Sequence, residues 1–501
     1  MFGNLGINLQ DYAASSQAAM NGGNYGGHGV SGQEELNQLQ KALEAGNITG
    51  RETTNSTSAS GSPLKVESLD STLKLLTFKK SDIVVWQKVP KLKAYNTVEE
   101  FNQQESYGAD RGGFILEGEL PQEEDSVYVR RAQLVKFLGV VKSVSHVLTT
   151  VNTMVGNVIN KEAQNGSLWI LRKLNRSLVY GNSTVIPQEF NGFYHQHARH
   201  DGATYADGNL ANYINSDVVI DMRGKRLTES AIEDAAETIT TNFGIPTDLF
   251  ATPKVISNYT KQEYGQKFIV PGQASQMANM GRTVKGQETN YGTINFNRDI
   301  FLRQPAAKSS GAAATHPKAP AAVTGLTGAV VASDAESKFA AVDAGDYIYA
   351  VAAVNRFGES ALAELGAAVT VASGNSIDLT FTAGVGANPA TGFAVYRTLK
   401  NGTGKFYKIY EISTGELANG HNGAGASNTR DRNFFLPKTD EAYIIQNDEE
   451  VCAFKQLLPM MKMDLAITSP AYRFMVLLYG TPMLYAPKKM VRFINIGEET
   501  A

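Results

Sequence analysis

A single cysteine, Cys452, stands among 501 residues. No intramolecular disulfide framework can form, so the fold must rest on its own core. Long apolar runs are missing too, and none approaches the roughly 20 residues that span a bilayer. No basic stretch followed by an apolar one opens the chain. The reading is a soluble protein, intracellular at synthesis, with no secretory signal and no membrane partner. An excess of one charge is also lacking. The formal net charge is −3 and the pI is about 6.2, and no basic stripe runs along the chain. Nothing here pulls the whole chain toward nucleic acid. The sequon at Asn182-Ser-Thr184 reads as chance.

Catalytic signatures are absent in the same way. There is no His-Glu-x-x-His, no paired Cys-x-x-Cys and no Gly-x-Ser-x-Gly. Gly402-Thr-Gly404-Lys405 lacks the upstream glycine and trailing hydroxyl of a phosphate loop, and reads as a hairpin turn. His195, His197 and His200 have ligand-like spacing, and with Asp201 they could hold zinc or nickel. The competing reading is a polar surface loop flanked by Gly192 and Gly202. Glu117, Glu119 and Glu123-Glu-Asp125 could bind a cation, or could simply form a solvated acidic loop. Met460, Met461, Met463 and Met483 read as core gap-fillers, and Cys452 as a small buried apolar residue. The expectation is no enzyme, no cofactor, and no catalytic, cofactor-binding or metal residue.

What is present is organisation. Residues 1–65 are rich in Gly, Asn, Ser and Gln and read as an arm, with helical spacing only at Leu36, Leu39 and Leu43. Ile83-Val-Val-Trp-Gln87 reads as a strand, and Val127–Arg130 as another. The polar stretch between them, Gly-rich at 108–113, makes a projecting hairpin, and long loops of this kind are normally functional. Apolar spacing over Val151–Gly181 predicts one long helix, interrupted by Gly166 and stopped at Gly181-Asn182. An α/β block follows. In it Ser230 and Glu233 form a capping box, and Ile232, Ala236, Ile239 and Phe243 share one face. The strand Leu249–Ala251 leads to a helix opened by Pro253. Strands Ala442–Ile445, Arg473–Tyr479 and Met490–Ile496 close the chain. Gly480-Thr-Pro482 separates the last two.

From about Pro317 to Asn433 the character changes to short alternating strands and Gly turns. Tyr347–Val354, Ile377–Phe381, Phe393–Arg397 and Phe406–Tyr410 predict an all-β sandwich. Its flanks, Ala306–Ala314 and Asn419–Ser427, read as flexible linkers that leave the insert free to fold alone. The run Tyr347–Ser360 resembles the late strand pair of fibronectin-type-III and immunoglobulin-like modules. It stands before the Val-Tyr-Arg strand, where those modules place it after.

The order of arm, long loop, long helix, α/β block and terminal strands resembles the major capsid protein of tailed bacteriophages. That fold is shared with encapsulins and the herpesvirus capsid floor. The resemblance covers about 66–310 and 436–501, and the helix end Leu174-Asn-Arg-Ser-Leu-Val-Tyr-Gly-Asn182 is similar to that family's spine helix. It implies an α+β phage major-capsid fold. The parts would be an N-terminal arm at 1–65, an extended loop at about 83–138, a peripheral domain with its spine at about 151–181, and an axial domain at about 218–300. An inserted Ig-like sandwich would occupy 318–433, with core strands again at 436–501. It further implies a shell of hexamers and pentamers enclosing double-stranded DNA without sequence-specific binding. Scaffolding, portal and decoration proteins would be partners, assembly would occur in the host cytoplasm, and the insert would face outward from the virion. Other readings remain: a glycan-binding adhesin or tail protein, an encapsulin-type compartment, or a metal enzyme built on the three histidines.

Overall fold

A computed structural model describes residues 77–108, 114–118, 120, 123–151, 157–199, 218–263, 285–467 and 469–498. The residue 1–65 arm, His200 and Glu119 lie outside the described residues.

The long helix is the organising element. It runs Val158–Tyr180, opened by the Asn157 side chain, which accepts the Asn160 N–H at 3.2 Å. It thus begins later than the apolar spacing suggested. Residues 152–156 are outside the described set, and His146–Thr150 is a separate short helix. Ile170, Leu171, Leu174 and Leu178 are buried along one face. That face lies on a four-stranded sheet in the order Lys91–Lys93, Cys452–Asp464, Ala471–Leu484 and Lys136–Ser145. Gly166 does not break the helix, because it serves close approach to the sheet. A Cβ there would stand 3.3 Å from Val476 and 3.4 Å from Val140. Gly181 ends the helix as expected. A side chain there would reach within 2.5 Å of the Phe190 carbonyl.

The terminal strands differ in detail from the sequence reading. Ala471–Leu484 continues straight through Gly480-Thr-Pro482. Pro482 opposes Phe454, and its carbonyl accepts the Gln196 side-chain amide at 2.9 Å. Cys452–Asp464 is a strand that the apolar pattern did not reveal. Met490–Ile496 belongs mainly to a second sheet. Its order is Val219–Asp221, Met490–Ile496, Asp440–Ile445, Asp248–Ala251, Gly292–Arg298 and Gly286–Thr289. Helices Glu229–Thr241 and Pro253–Glu263 are built into its core through Ile232, Ala236, Ile239, Val255 and Tyr259. The cap of the first helix is Thr228, not Ser230. Glu233 instead accepts the backbone and side-chain N–H groups of Asn290.

Ile83–Gln87 is not a strand. Val84–Lys88 is a helical turn, because distant side chains satisfy its free N–H groups. Asp299 accepts from Val84 and Val85, both at 3.1 Å, and Asn175 accepts from Trp86 at 2.8 Å.

The insert is a sandwich. Three strands, Thr324–Val331, Ser376–Thr382 and Asn428–Asp431, face a six-stranded sheet. The larger sheet holds Tyr349–Asn355, Gly392–Arg397 and Lys405–Ser413 at its centre. Its flanks are not loose linkers. Lys308–Ser309 pairs with Lys405–Phe406, and the Leu362 N–H donates to Ala312. On the other side His421 is buried with its Nδ1 at 2.9 Å from Thr429 Oγ1, and Asn422 donates to Arg430 O. Small-residue composition suggested slack chain. Polar side chains closing tight turns make it ordered structure instead.

Candidate assembly surfaces

The hairpin is built from Val98–Ser106 and Val127–Leu134, with Val98 opposite Leu134. Its root is anchored. Glu99 is buried, and it accepts the N–H groups of Tyr95 and Asn96 and the Lys455 ammonium, the last at 2.9 Å. Burial alone would raise the Glu99 pKa. The Lys455 hydrogen bond and the two backbone donors outweigh it and hold the group below the usual carboxylate range. Phe101 packs edge-on against Tyr485 at 4.9 Å, and the Gln103 side chain donates to the Tyr485 carbonyl.

Beyond that root the described apolar side chains of the ribbon are exposed. Tyr107 is 86% exposed, Leu116 77% and Leu120 90%, and Phe114 is fully exposed. These exposed apolar side chains alternate along the chain with the exposed carboxylates Glu117 and Glu123–Asp125, which makes the ribbon tip a candidate interaction surface. The acidic residues are exposed, and among the described residues no group of carboxylates or histidines could hold a metal ion.

A second bare surface lies on the four-stranded sheet, on the face opposite the long helix. Phe137, Val141, Met461 and Met463 are exposed there, beside half-buried Met475, Leu477 and Tyr479. Phe137 and Tyr479 meet edge-on at 4.7 Å. Of the methionines read as gap-fillers, Met483 is buried and Met460 lies against the core. Met461 and Met463 face out instead.

The insert behaves differently. Every residue of Tyr349–Asn355 is buried, on both faces of the strand. Tyr349, Val351 and Ala353 point into the sandwich. Ala350, Ala352 and Val354 point the other way, with Tyr396 and Phe406, onto Val185 and Ile186 of the host. The fit is close, since a Cβ on Gly392 would stand 2.6 Å from Val185. Polar contacts add to this apolar seam. Arg223 donates to Asn433 O at 2.9 Å and pairs with Asp343 at 3.1 Å. A cleft of about 400 Å³ runs beside the seam, lined by Lys173, Arg176, Glu189, Glu411 and Arg492. Burial raises the Glu189 pKa, and the Glu411 carboxylate raises it further, against a hydrogen bond from Ser177. Arg492 pairs with Glu441 at 2.8 Å and covers the Tyr194 ring at 4.0 Å.

His195 and His197, the two described histidines of the three, do not converge. His195 and His197 are buried on the short helix Phe193–Arg199, not on a surface loop. Two helical residues apart, they point about 200° away from each other. His197 Nε2 lies 2.9 Å from the Met490 carbonyl, a packing role. Cys452 is buried as expected, and burial pushes its thiol up to about 12. What the sequence reading missed is Val185. Its one available signal was the short apolar pair Val185-Ile186 standing between Gly181-Asn182 and Pro187.

A family model described as SU10 major capsid protein matches residues 47–315, more than half of the chain. The putative major capsid protein of Enterococcus phage phiEF24C is 24% identical over 468 residues, covering 93% of this chain and 96% of that protein. The major capsid protein of Staphylococcus phage K is 23% identical over 476 residues, with the same coverage of 93% and 96%. Among solved structures, a chain from Mycobacterium phage Adephagia overlays with a TM-score of 0.42 at 9% identity, covering 89% of this chain and 100% of that one. The capsid of an empty GTA particle overlays at 0.44 with 8% identity, covering 88% and 99%.

Proposed function

The chain belongs to the SU10 major capsid protein family, and from that premise we propose that the shell it builds encloses double-stranded DNA and carries the insert on its outer face. The chain is a structural subunit of a phage shell, not an enzyme. The finer reading adds hexamers and pentamers, scaffolding, portal and decoration proteins as partners, and assembly in the host cytoplasm. Residues from about 83 to 138 lie over a neighbouring subunit, the helix Val158–Tyr180 forms the spine, residues from about 218 to 300 form the axial domain, and 318–433 are an Ig-like module for decoration or adhesion.

The observation that carries this reading is the hairpin. A ribbon rooted by Glu99 and Lys455 but exposed at Phe114 and Leu120 is a poor design for a monomer. In a shell the same ribbon buries its tip on each neighbour in turn. The net charge of −3 suits a container whose wall should not trap the polymer it holds. Purified particles should contain nuclease-protected double-stranded DNA, and antibodies against residues 318–433 should label them intact. Empty particles from a productive infection would sink the first part. Labelling only after the shell is broken would sink the second.

A further inference from the structure

Helix Glu229–Thr241 ends in two reverse hydrogen bonds. The Phe243 N–H donates to Thr240 O and the Gly244 N–H to Ile239 O, both at 2.9 Å. This pair is a Schellman stop, which places one residue in the left-handed region, usually glycine. Here that residue is Phe243, at φ 60°, and the glycine comes one position late. The glycine is held at its own position by space. A Cβ on Gly244 would stand 2.8 Å from the Ile239 side chain and 3.2 Å from Lys489. Phe243 therefore bears backbone strain, and among the described residues it gains little packing in return, being 93% exposed. Ile245 is also exposed, as is Tyr291 on the adjoining turn. A Cβ on Gly292 would lie 3.7 Å from Ile245, which joins the two turns into one surface.

We propose that Phe243, with Ile245 and Tyr291, is an anchor that seats in a second copy of this chain as the shell forms. The inference rests on the shell-forming role of the family and adds a contact away from the hairpin. Size argues for the occupant. Three such side chains offer on the order of 400 Å², against about 800 Å² per partner in a stable isolated interface. That is too little to retain a separate protein. It is enough for one contact among several made at once by two copies that the hairpin already holds, where aromatic anchors contribute most.

The test is Phe243→Gly in the full-length chain, beside Phe243→Asn, which also tolerates the left-handed backbone. Released strain should hold or raise the subunit's Tm, by about 2 °C, while the concentration needed for assembly rises at least about tenfold. A residue of purely structural value would lower Tm instead, and that result overturns the proposal. So does unchanged assembly. A photo-crosslinking phenylalanine analogue at position 243, read on particles purified from the host, should join two copies of the chain. A cross-link to a different virion protein, or none, overturns the choice of occupant. That arm reports even if the isolated chain forms no shells, so failure of the anchor is distinguishable from failure of the shell reading.

Discussion

The hairpin and the inserted sandwich are both excursions from the host, both β, and both read from sequence as appendages. They end in opposite conditions. At the hairpin tip Phe114 and Leu120 meet solvent. In the insert, Tyr349–Asn355 is buried on both faces, one against the sandwich and one against the host. Strand alternation cannot tell these apart. A strand declares its two faces, but a second layer decides whether either face is covered. Val185 and Ile186 supply that layer for the insert. Among the described residues, the side chains of Phe114 and Leu120 at the ribbon tip stay exposed. The insert's burial therefore enters in folding, and under the proposed shell reading the hairpin's would enter only in assembly.

The largest effect should come from breaking the covered side. Val185→Asp puts a carboxylate into the apolar cluster that holds Ala352, Ala394 and Phe406. An unpaired buried charge of this kind costs about 3 kcal/mol or more. We expect insoluble subunit, or a large fall in Tm with the insert undocked and newly open to protease. A normal Tm would mean that the seam contributes little and that the insert is tethered after all. Deleting 318–433 should likewise expose Val185 and Ile186 and reduce solubility, against the sequence expectation of an insert free to fold alone.

The matching change on the bare side should leave the subunit alone. Leu116→Asp adds charge to a side chain already in water, so subunit stability should move by no more than about 0.5 kcal/mol. Assembly should fail or need far higher protein concentration, as seen by sedimentation. Normal shells from this variant would mean that the tip is not a contact, and would remove the main support for the loop reading.

What was legible beforehand divides along physical lines. The helix through Leu171, Leu174 and Leu178 announced itself by local spacing, and so did its stop, because Gly181 is needed by atoms only a few residues away. The strands Asp248–Ala251 and Asp440–Ile445 showed as short apolar runs. The turn Val84–Lys88 could not be read, since its N–H groups are capped by Asn175 and Asp299, each remote in sequence. The misread linkers failed for the same reason. Their order comes from pairing with Lys405–Phe406 and from Thr429, not from their own composition. Phe243 matched the apolar face by spacing, yet the helix ended two residues before it. Of the two exposed surfaces, the ribbon showed as a long polar excursion. The exposed sheet face did not, because an apolar strand looks the same whether or not its second face is covered.

The smallest effect should be a pH contrast between the two regions. Glu99 at the hairpin root sits below its ordinary value of 4.5 in the folded chain. A lowered pKa contributes stability that is present above 4.5 and lost as pH falls through the folded value, so acid should loosen the root. Glu189 beside the insert's seam sits above 4.5. A raised pKa contributes stability that is present below 4.5 and lost as pH rises through the folded value, so the seam should loosen in the other direction. Hydrogen exchange, corrected for its intrinsic pH dependence, should show amides of Val98–Ser106 opening toward low pH and those of 182–190 opening above 4.5. Glu99→Gln should remove the first trend without touching the second, and Glu189→Gln the reverse. If both regions opened together at one pH, a single global transition would explain them. The separation of a folding seam from an assembly ribbon would then have no energetic basis within the subunit.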